Sequence, residues 1–163
     1  MQDLDAKLDA TVMLETNHTK PELRGPFDPK PLLWPLRFAN QRKDIDGTHF
    51  PKLKIPVGLI NLVIKRTAGG NGSFDAQTGK LEIPINLHLD YVLGTATVAL
   101  LLTTDTSGSP GGAFHLTGKR MDPASGQCVL VAASTLIDVP GGLLDGTDVS
   151  VRISGKMVPN PMV

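Results

Sequence analysis

Alternation of apolar and polar residues is the strongest pattern in this chain. Across residues 4–14 every even-numbered position is apolar, and the positions between them are mostly charged or polar. The same period of two recurs across residues 81–93 and 149–157. Because successive side chains of a strand point to opposite faces, each stretch predicts a β-strand with one face in the core.

Further strands are predicted where short apolar runs lie between Gly-, Pro- and Asp-rich turns. These runs cover residues 31–39, 53–66, 95–104, 113–121 and 128–139. No stretch sustains the i, i+3, i+4, i+7 apolar spacing of an amphipathic helix. The chain of 163 residues is therefore predicted to be a single all-β domain over residues 1–163. We expect an antiparallel β-sandwich or a closed β-barrel of about eight strands.

Two turns resemble each other at an offset of 47 residues. Residues 73–81 and 120–128 share an apolar position, an Asp, two variable positions, a Thr or Ser, a Gly and then a strand. We predict that each Asp accepts backbone N–H groups across its turn and that Gly79 and Gly126 adopt the left-handed conformation. The phase of the second strand then places Cys128 inward. Such hairpins are common in exported bacterial β-proteins, which favours an exported or envelope-associated protein over a cytoplasmic one.

Two of the predicted strands are apolar on both faces. Residues 128–137 carry apolar side chains at nearly every position, and residues 98–102 are entirely apolar. A strand of this kind is typical of burial on both sides. The second face must therefore be covered by another part of the chain or by another subunit, and we expect a homo-oligomer.

A proline-rich basic segment differs from the rest of the chain. Seven of the 13 prolines lie between Pro21 and Pro56. Residues 20–66 hold ten Lys or Arg and four Asp or Glu, a net charge of +6, while the rest of the chain has a net charge of −6. We interpret residues 20–52 as an irregular arm or long loop lying over an acidic β core.

Composition excludes several classes of function. Lys and Arg number 16 and balance 16 Asp and Glu, which argues against nucleic-acid binding. No apolar run reaches the roughly 18 residues of a membrane-spanning helix. The single cysteine excludes an internal disulfide, and no two of the four histidines have the spacing of a chelating pair. We therefore predict no metal and no cofactor.

Candidate ligand-binding residues lie on the polar face of the strand at residues 81–91. Its outward side chains include Glu82, Asn86, His88 and Asp90. A strand holds alternate residues about 7 Å apart on one face, so these groups could form a ligand site, although any solvated sheet face is also polar. Trp34 is the only credible stacking residue, with core burial as the competing explanation. No catalytic residue is assigned.

Three functions remain open, and whether the chain is an enzyme is not decided. The leading hypothesis, which leans against an enzyme, is a non-catalytic β-sandwich that acts as a structural or binding module and self-assembles. The first alternative is a β-barrel that encloses a small hydrophobic ligand. The second is an enzyme on a β scaffold that uses His88, Asp90 and Glu82 as acid and base groups.

Overall fold

The chain folds as an all-β, antiparallel structure. The computed structural model describes residues 4–19, 21, 25, 29–39, 44–46, 53–57, 60–68, 72–75, 77–91, 94–105, 116–136 and 146–159. Within these ranges lie ten strands, β1 (Leu4–Asn17), β2 (Lys30–Ala39), β3 (Asp44–Asp46), β4 (Leu53–Val57), β5 (Ile60–Ala68), β6 (Ser73–Phe74), β7 (Leu81–Tyr91), β8 (Gly94–Thr103), β9 (Gln127–Thr135) and β10 (Asp148–Pro159). The predicted fold class is confirmed.

All ten strands belong to one sheet. Their order is β3-β2-β1-β10-β9-β8-β7-β5-β4, and the short β6 pairs with β7 beside this path. The path ends at β3 on one side and β4 on the other, so pairing among the described residues does not close the sheet into a barrel. Of the two predicted forms, the structure has the open, sandwich-like one.

The buried apolar side chains of the described residues form one hydrophobic core. Alternate side chains of β1 point inward, and Leu8, Ala10, Val12 and Leu14 are all buried as their period predicts. Among the described residues, the core draws on seven strands. Its largest fully buried side chains are Trp34, Leu8, Leu32, Leu81, Ile83, Ile85, Leu102 and Leu130.

The two related turns have the same hydrogen bonds. The backbone carbonyl of Asp75 accepts from the N–H of Gly79 at 2.8 Å, and that of Asp122 accepts from Gly126 at 2.6 Å. Each Asp Oδ1 also accepts the backbone N–H two residues further on, at 2.9 Å in both turns. Gly79 and Gly126 have φ values of 79° and 77°. The predicted turn chemistry is confirmed.

The two strands predicted to be apolar on both faces differ from each other. In β9 the inward residues Cys128, Leu130 and Ala132 lie in the core, as the phase predicts. Val131 points the other way and is also 0% exposed, outside the core cluster, so the chain itself covers this part of the second face. On β8, by contrast, Leu101 is 50% exposed.

Pro84, in the middle of β7, lies between the part of β7 that pairs with β6 and the part that pairs with β5. On one flank, β6 pairs with β7 up to Glu82, and β5 pairs from Asn86 onward. Pro84 lies between them, and no described residue pairs with it on that flank. The register of β5 also shifts between Arg66 and Ala68. Because proline cannot donate a ladder hydrogen bond, a locally open edge beside a bulge suits it.

Part of the proline-rich segment is regular sheet. β2 pairs with β1 from Lys30, opposite Val12, to Phe38, opposite Leu4. This confirms the strand predicted at residues 31–39. Most of the remainder of residues 20–52 lies outside the described residues.

Candidate binding site on the outer sheet face

A groove of about 600 Å³ lies on the outer face of the sheet, where β1, β10 and β9 run side by side. A segment that precedes β9 borders it, because Lys119 pairs with Val129 through two backbone hydrogen bonds of 3.0 Å. The lining residues are Asp9, Ala10, Thr11, Lys119, Gln127, Cys128, Val129, Ser154, Gly155 and Lys156.

The groove lies over a close approach of two strands at Gly155. This glycine occupies an inward position of β10, between Ala10 of β1 and Cys128 of β9. A Cβ at Gly155 would lie 2.2 Å from the carbonyl oxygen of Asp9 and 2.6 Å from the Cβ of Ala10. The backbone of β1 therefore fills the space that a side chain would need. Only glycine permits this approach.

Backbone register arranges the outward side chains of the groove in two rows across the strands. The first row runs from Asp9 to Lys156 and on to Gln127. The second row runs Thr11, Ser154, Val129, Lys119. Directly opposite Cβ atoms in an antiparallel pair lie about 4.5–5.5 Å apart, so each row is a continuous line of neighbouring side chains.

The polar side chains of the groove are not held by hydrogen bonds or ion pairs to described residues. Within the part of the chain that the structure describes, none of them forms a side-chain hydrogen bond or an ion pair. They are Asp9, Thr11, Lys119, Gln127, Ser154 and Lys156. Their donors and acceptors therefore face solvent and are available to a bound molecule.

A second charged cluster on the surface is engaged internally. Arg120 binds Asp105 with two hydrogen bonds, Nε to Oδ1 at 2.9 Å and one terminal nitrogen to Oδ2 at 3.2 Å. Lys80 adds contacts of 3.7 Å to Asp105 and 3.5 Å to Glu82. The hydrogen bond from Arg120 lowers the pKa of Asp105, with Lys80 a smaller contributor. These groups hold adjoining chain segments together and satisfy each other.

The four predicted residues on β7 do not converge on one point. His88 Nε2 and Asp90 Oδ1 lie 2.8 Å apart and form a pair. Glu82 instead contacts Lys80, and Asn86 lies between the two groups along the strand, half-buried. At about 3.3 Å per residue, six residues separate Glu82 from His88 by about 20 Å. The structure therefore brings together His88 and Asp90 but not the acid–base trio.

Two other residues of interest lie inside the protein. Trp34 is 0% exposed in the core, on the inward side of β2. The free Cys128 is buried as well, and this burial raises the pKa of its thiol to about 11. A thiol with so high a pKa is a poor nucleophile at neutral pH.

Sequence reasoning missed the groove, although one signal for it was present. Gly155 interrupts the inward apolar series of β10, and a glycine inside a strand pattern indicates a close approach of backbones. The position of Lys119 beside Val129 depends on tertiary pairing, which a local sequence pattern does not predict.

No group of three or more His, Cys, Asp or Glu side chains among the described residues is placed to hold a metal ion. In the same ranges, no helix is long and apolar enough to cross a membrane. No protein-family model, curated protein or solved structure matches the chain.

Proposed function

We propose that the protein is a non-catalytic β-sandwich that acts as a binding module, with the groove over Gly155 as its ligand surface. One observation carries the proposal: six polar side chains line a single groove, and none forms a side-chain hydrogen bond or an ion pair among the described residues. The volume of about 600 Å³ falls within the range of small-molecule sites. Rigid strands hold the groups, which suits recognition without movement of the backbone.

The groups in the groove favour a polar ligand. Thr11 and Ser154 offer hydroxyls, Gln127 offers an amide, and the two lysines and Asp9 offer charge. None of the described lining residues is aromatic, so recognition would rest on hydrogen bonds and charge instead of ring stacking.

An enclosed hydrophobic ligand has less support. Among the described residues the sheet stays open between β3 and β4, and large side chains such as Trp34 and Leu130 are buried on its inward face. A ligand-binding barrel would instead need a closed wall around a lumen.

The enzyme alternative rests on the pair of His88 and Asp90. A carboxylate that orients an imidazole suits proton transfer. The nearest cross-strand neighbour of His88 on β8 is Thr97, and the third proposed group, Glu82, lies about 20 Å away along the strand. The groove gathers more groups at one place, which favours binding.

Self-assembly remains part of the proposal, through a sheet face rather than an edge. The edge strand β3 has three residues, two of them Asp, and the edge strand β4 contains Lys54 and Pro56. Short, charged and proline-bearing edges resist the addition of a further strand. On the outer face of β8, Leu101 is 50% exposed opposite Pro84, and this apolar patch suits contact with a second copy.

The binding proposal is tested by filling the groove. ¹⁵N-labelled protein would be titrated with a panel of sodium phosphate, acetate, glucose, glycine and acetamide while amide shifts are recorded. Ser154→Tyr places a ring in the groove from an exposed position, and Thr95→Tyr makes the same change at an exposed position on β8. We expect at least one compound to shift the amides of residues 154–156, with the response lost in Ser154→Tyr and kept in Thr95→Tyr. A groove that responds to no compound, or a response kept in Ser154→Tyr, would refute the proposal.

A further inference from the structure

We infer that the groove over Gly155 recognises an anionic oxygen group, a carboxylate, sulfate or phosphate carried by a small solute. This inference rests on the proposed binding function and names the chemistry of its ligand. It follows from the placement of Lys156 on β10 and of Lys119 on the segment that precedes β9, in different rows of the groove.

The two lysines are spaced to converge on one group. Across the sheet, Lys119 and Lys156 are separated by two inter-strand spacings of about 4.8 Å each, and along the sheet by two residues. The Cα atoms of the two lysines are therefore about 12 Å apart. A lysine side chain extends about 6 Å on its four-carbon stem, so both ammonium groups reach a point above Gln127 and Val129. The Gln127 amide and the Ser154 hydroxyl lie beside that point and can donate further hydrogen bonds.

Neither lysine is held in an ion pair among the described residues, and Asp122 acts on Lys119 only through longer-range electrostatic attraction. Asp9 is the cross-strand neighbour of Lys156, yet no ion pair joins them, and Lys119 likewise has none among the described residues. Two further cations flank the groove on the same outward face: Lys7 is two residues from Asp9, and Arg152 is two residues from Ser154. Among the described lining residues Asp9 is the one carboxylate beside two lysines, so the local charge favours an anion.

Variants that remove a positive charge from the groove and a variant that removes a negative charge should change anion binding in opposite directions. The parent and each variant would be titrated with sodium phosphate, sodium sulfate and sodium acetate at constant ionic strength, with the amides of residues 127, 129 and 154–156 as the readout. Removing one lysine with Lys119→Gln or Lys156→Gln should weaken binding roughly tenfold, the loss of one charge-assisted hydrogen bond. Asp9→Asn removes a repelling charge and should tighten binding severalfold. Lys30→Gln is the matched control, because Lys30 is exposed on β2 outside the groove, and it should leave binding unchanged.

The three anions separate possible ligand sources: a preference for phosphate or sulfate points to tetrahedral oxyanions, and a preference for acetate points to carboxylates. The inference is overturned if no anion shifts the groove amides, or if Lys30→Gln weakens binding as much as the groove variants do. If glucose or acetamide shifts these amides while the anions do not, the binding module stands and its anionic ligand is wrong. If no compound of either kind does so, both proposals fail.

Discussion

The carbonyl oxygen of Gly79 accepts a hydrogen bond of 3.0 Å from the backbone N–H of Met121, in the segment that leads to the second related turn. The carbonyl of Gly126, in that second turn, accepts from Met157 of β10 at 2.8 Å in the same way. Each turn glycine is thus constrained twice, by its left-handed φ and by a backbone packed against it. A Cβ at Gly79 would lie 2.4 Å from the Met121 carbonyl oxygen, and one at Gly126 would lie 2.5 Å from that of Met157.

This double constraint predicts that replacing glycine by alanine lowers the free energy of unfolding by different amounts at three positions. Gly146 has nearly the same φ, 78°, but nothing lies within 4 Å of the position of its Cβ. Gly146→Ala should therefore lower the free energy of unfolding by about 1–2 kcal/mol through backbone strain alone. Gly79→Ala and Gly126→Ala should each cost about 2 kcal/mol more, because the packed backbone must move. Urea denaturation measures all three. Equal costs would show that the neighbouring backbone yields freely.

Acid should weaken the second turn through Asp122. The N–H of Ala124 and the hydroxyl of Ser125 donate to its carboxylate and lower its pKa. Because the folded pKa lies below the unfolded value of about 3.9, this stabilisation is complete above that value and is lost as the pH falls through the folded pKa. Asp122→Asn should therefore be less stable than the parent at pH 7, and the difference should shrink below pH 4.

Urea denaturation across pH 2–7 would measure that difference in the free energy of unfolding. Asp9→Asn is the control, since Asp9 is exposed and its carboxylate accepts no hydrogen bond from the described residues. A difference for Asp122→Asn that stays constant with pH would mean that the charge of Asp122 does not contribute to the turn.

The sequence predicts the parts of this fold that depend on local rules. The alternation in β1 and β7, the two Asp–Gly turns and the inward phase of Cys128 all follow from strand period and turn chemistry. The groove does not follow from such rules, because Asp9, Lys119 and Lys156 come from distant parts of the chain. Strand order alone brings them together, and hydrophobic alternation does not encode strand order.

The thiol of Cys128 should be nearly inert in the folded protein. Its pKa of about 11 leaves about one thiolate in a thousand at pH 8, and its side chain is 2% exposed. Iodoacetamide should therefore react at least about a hundredfold more slowly with the native protein than with the protein in urea. Mass spectrometry over a time course measures both rates. Comparable rates in the two conditions would place Cys128 within reach of solvent.

A substitution at Gly155 should change both the stability of the protein and the shape of the groove. Gly155→Ala puts a methyl group where the β1 backbone lies and should lower the free energy of unfolding by about 2–3 kcal/mol. The amides of residues 9–11 should shift as β1 moves away from β10. Ser154→Ala is the matched control, because Ser154 points outward and is exposed, and it should cost within about 0.5 kcal/mol. If Gly155→Ala were as mild as Ser154→Ala, the close approach would not determine the shape of the groove.

Self-assembly should depend on the outer face of β8. Light scattering on a size-exclusion column, at two protein concentrations, should give a mass above the 17.3 kDa of one chain. Leu101→Glu places a charge in the exposed apolar patch and should return the mass to that of a monomer, because a buried unpaired charge is costly at an interface. Leu33→Glu is the control, since Leu33 is 60% exposed on β2 and three strands separate β2 from β8 in the sheet order. A monomeric parent would refute self-assembly. An oligomer that only Leu33→Glu dissociates would move the contact to the opposite end of the sheet.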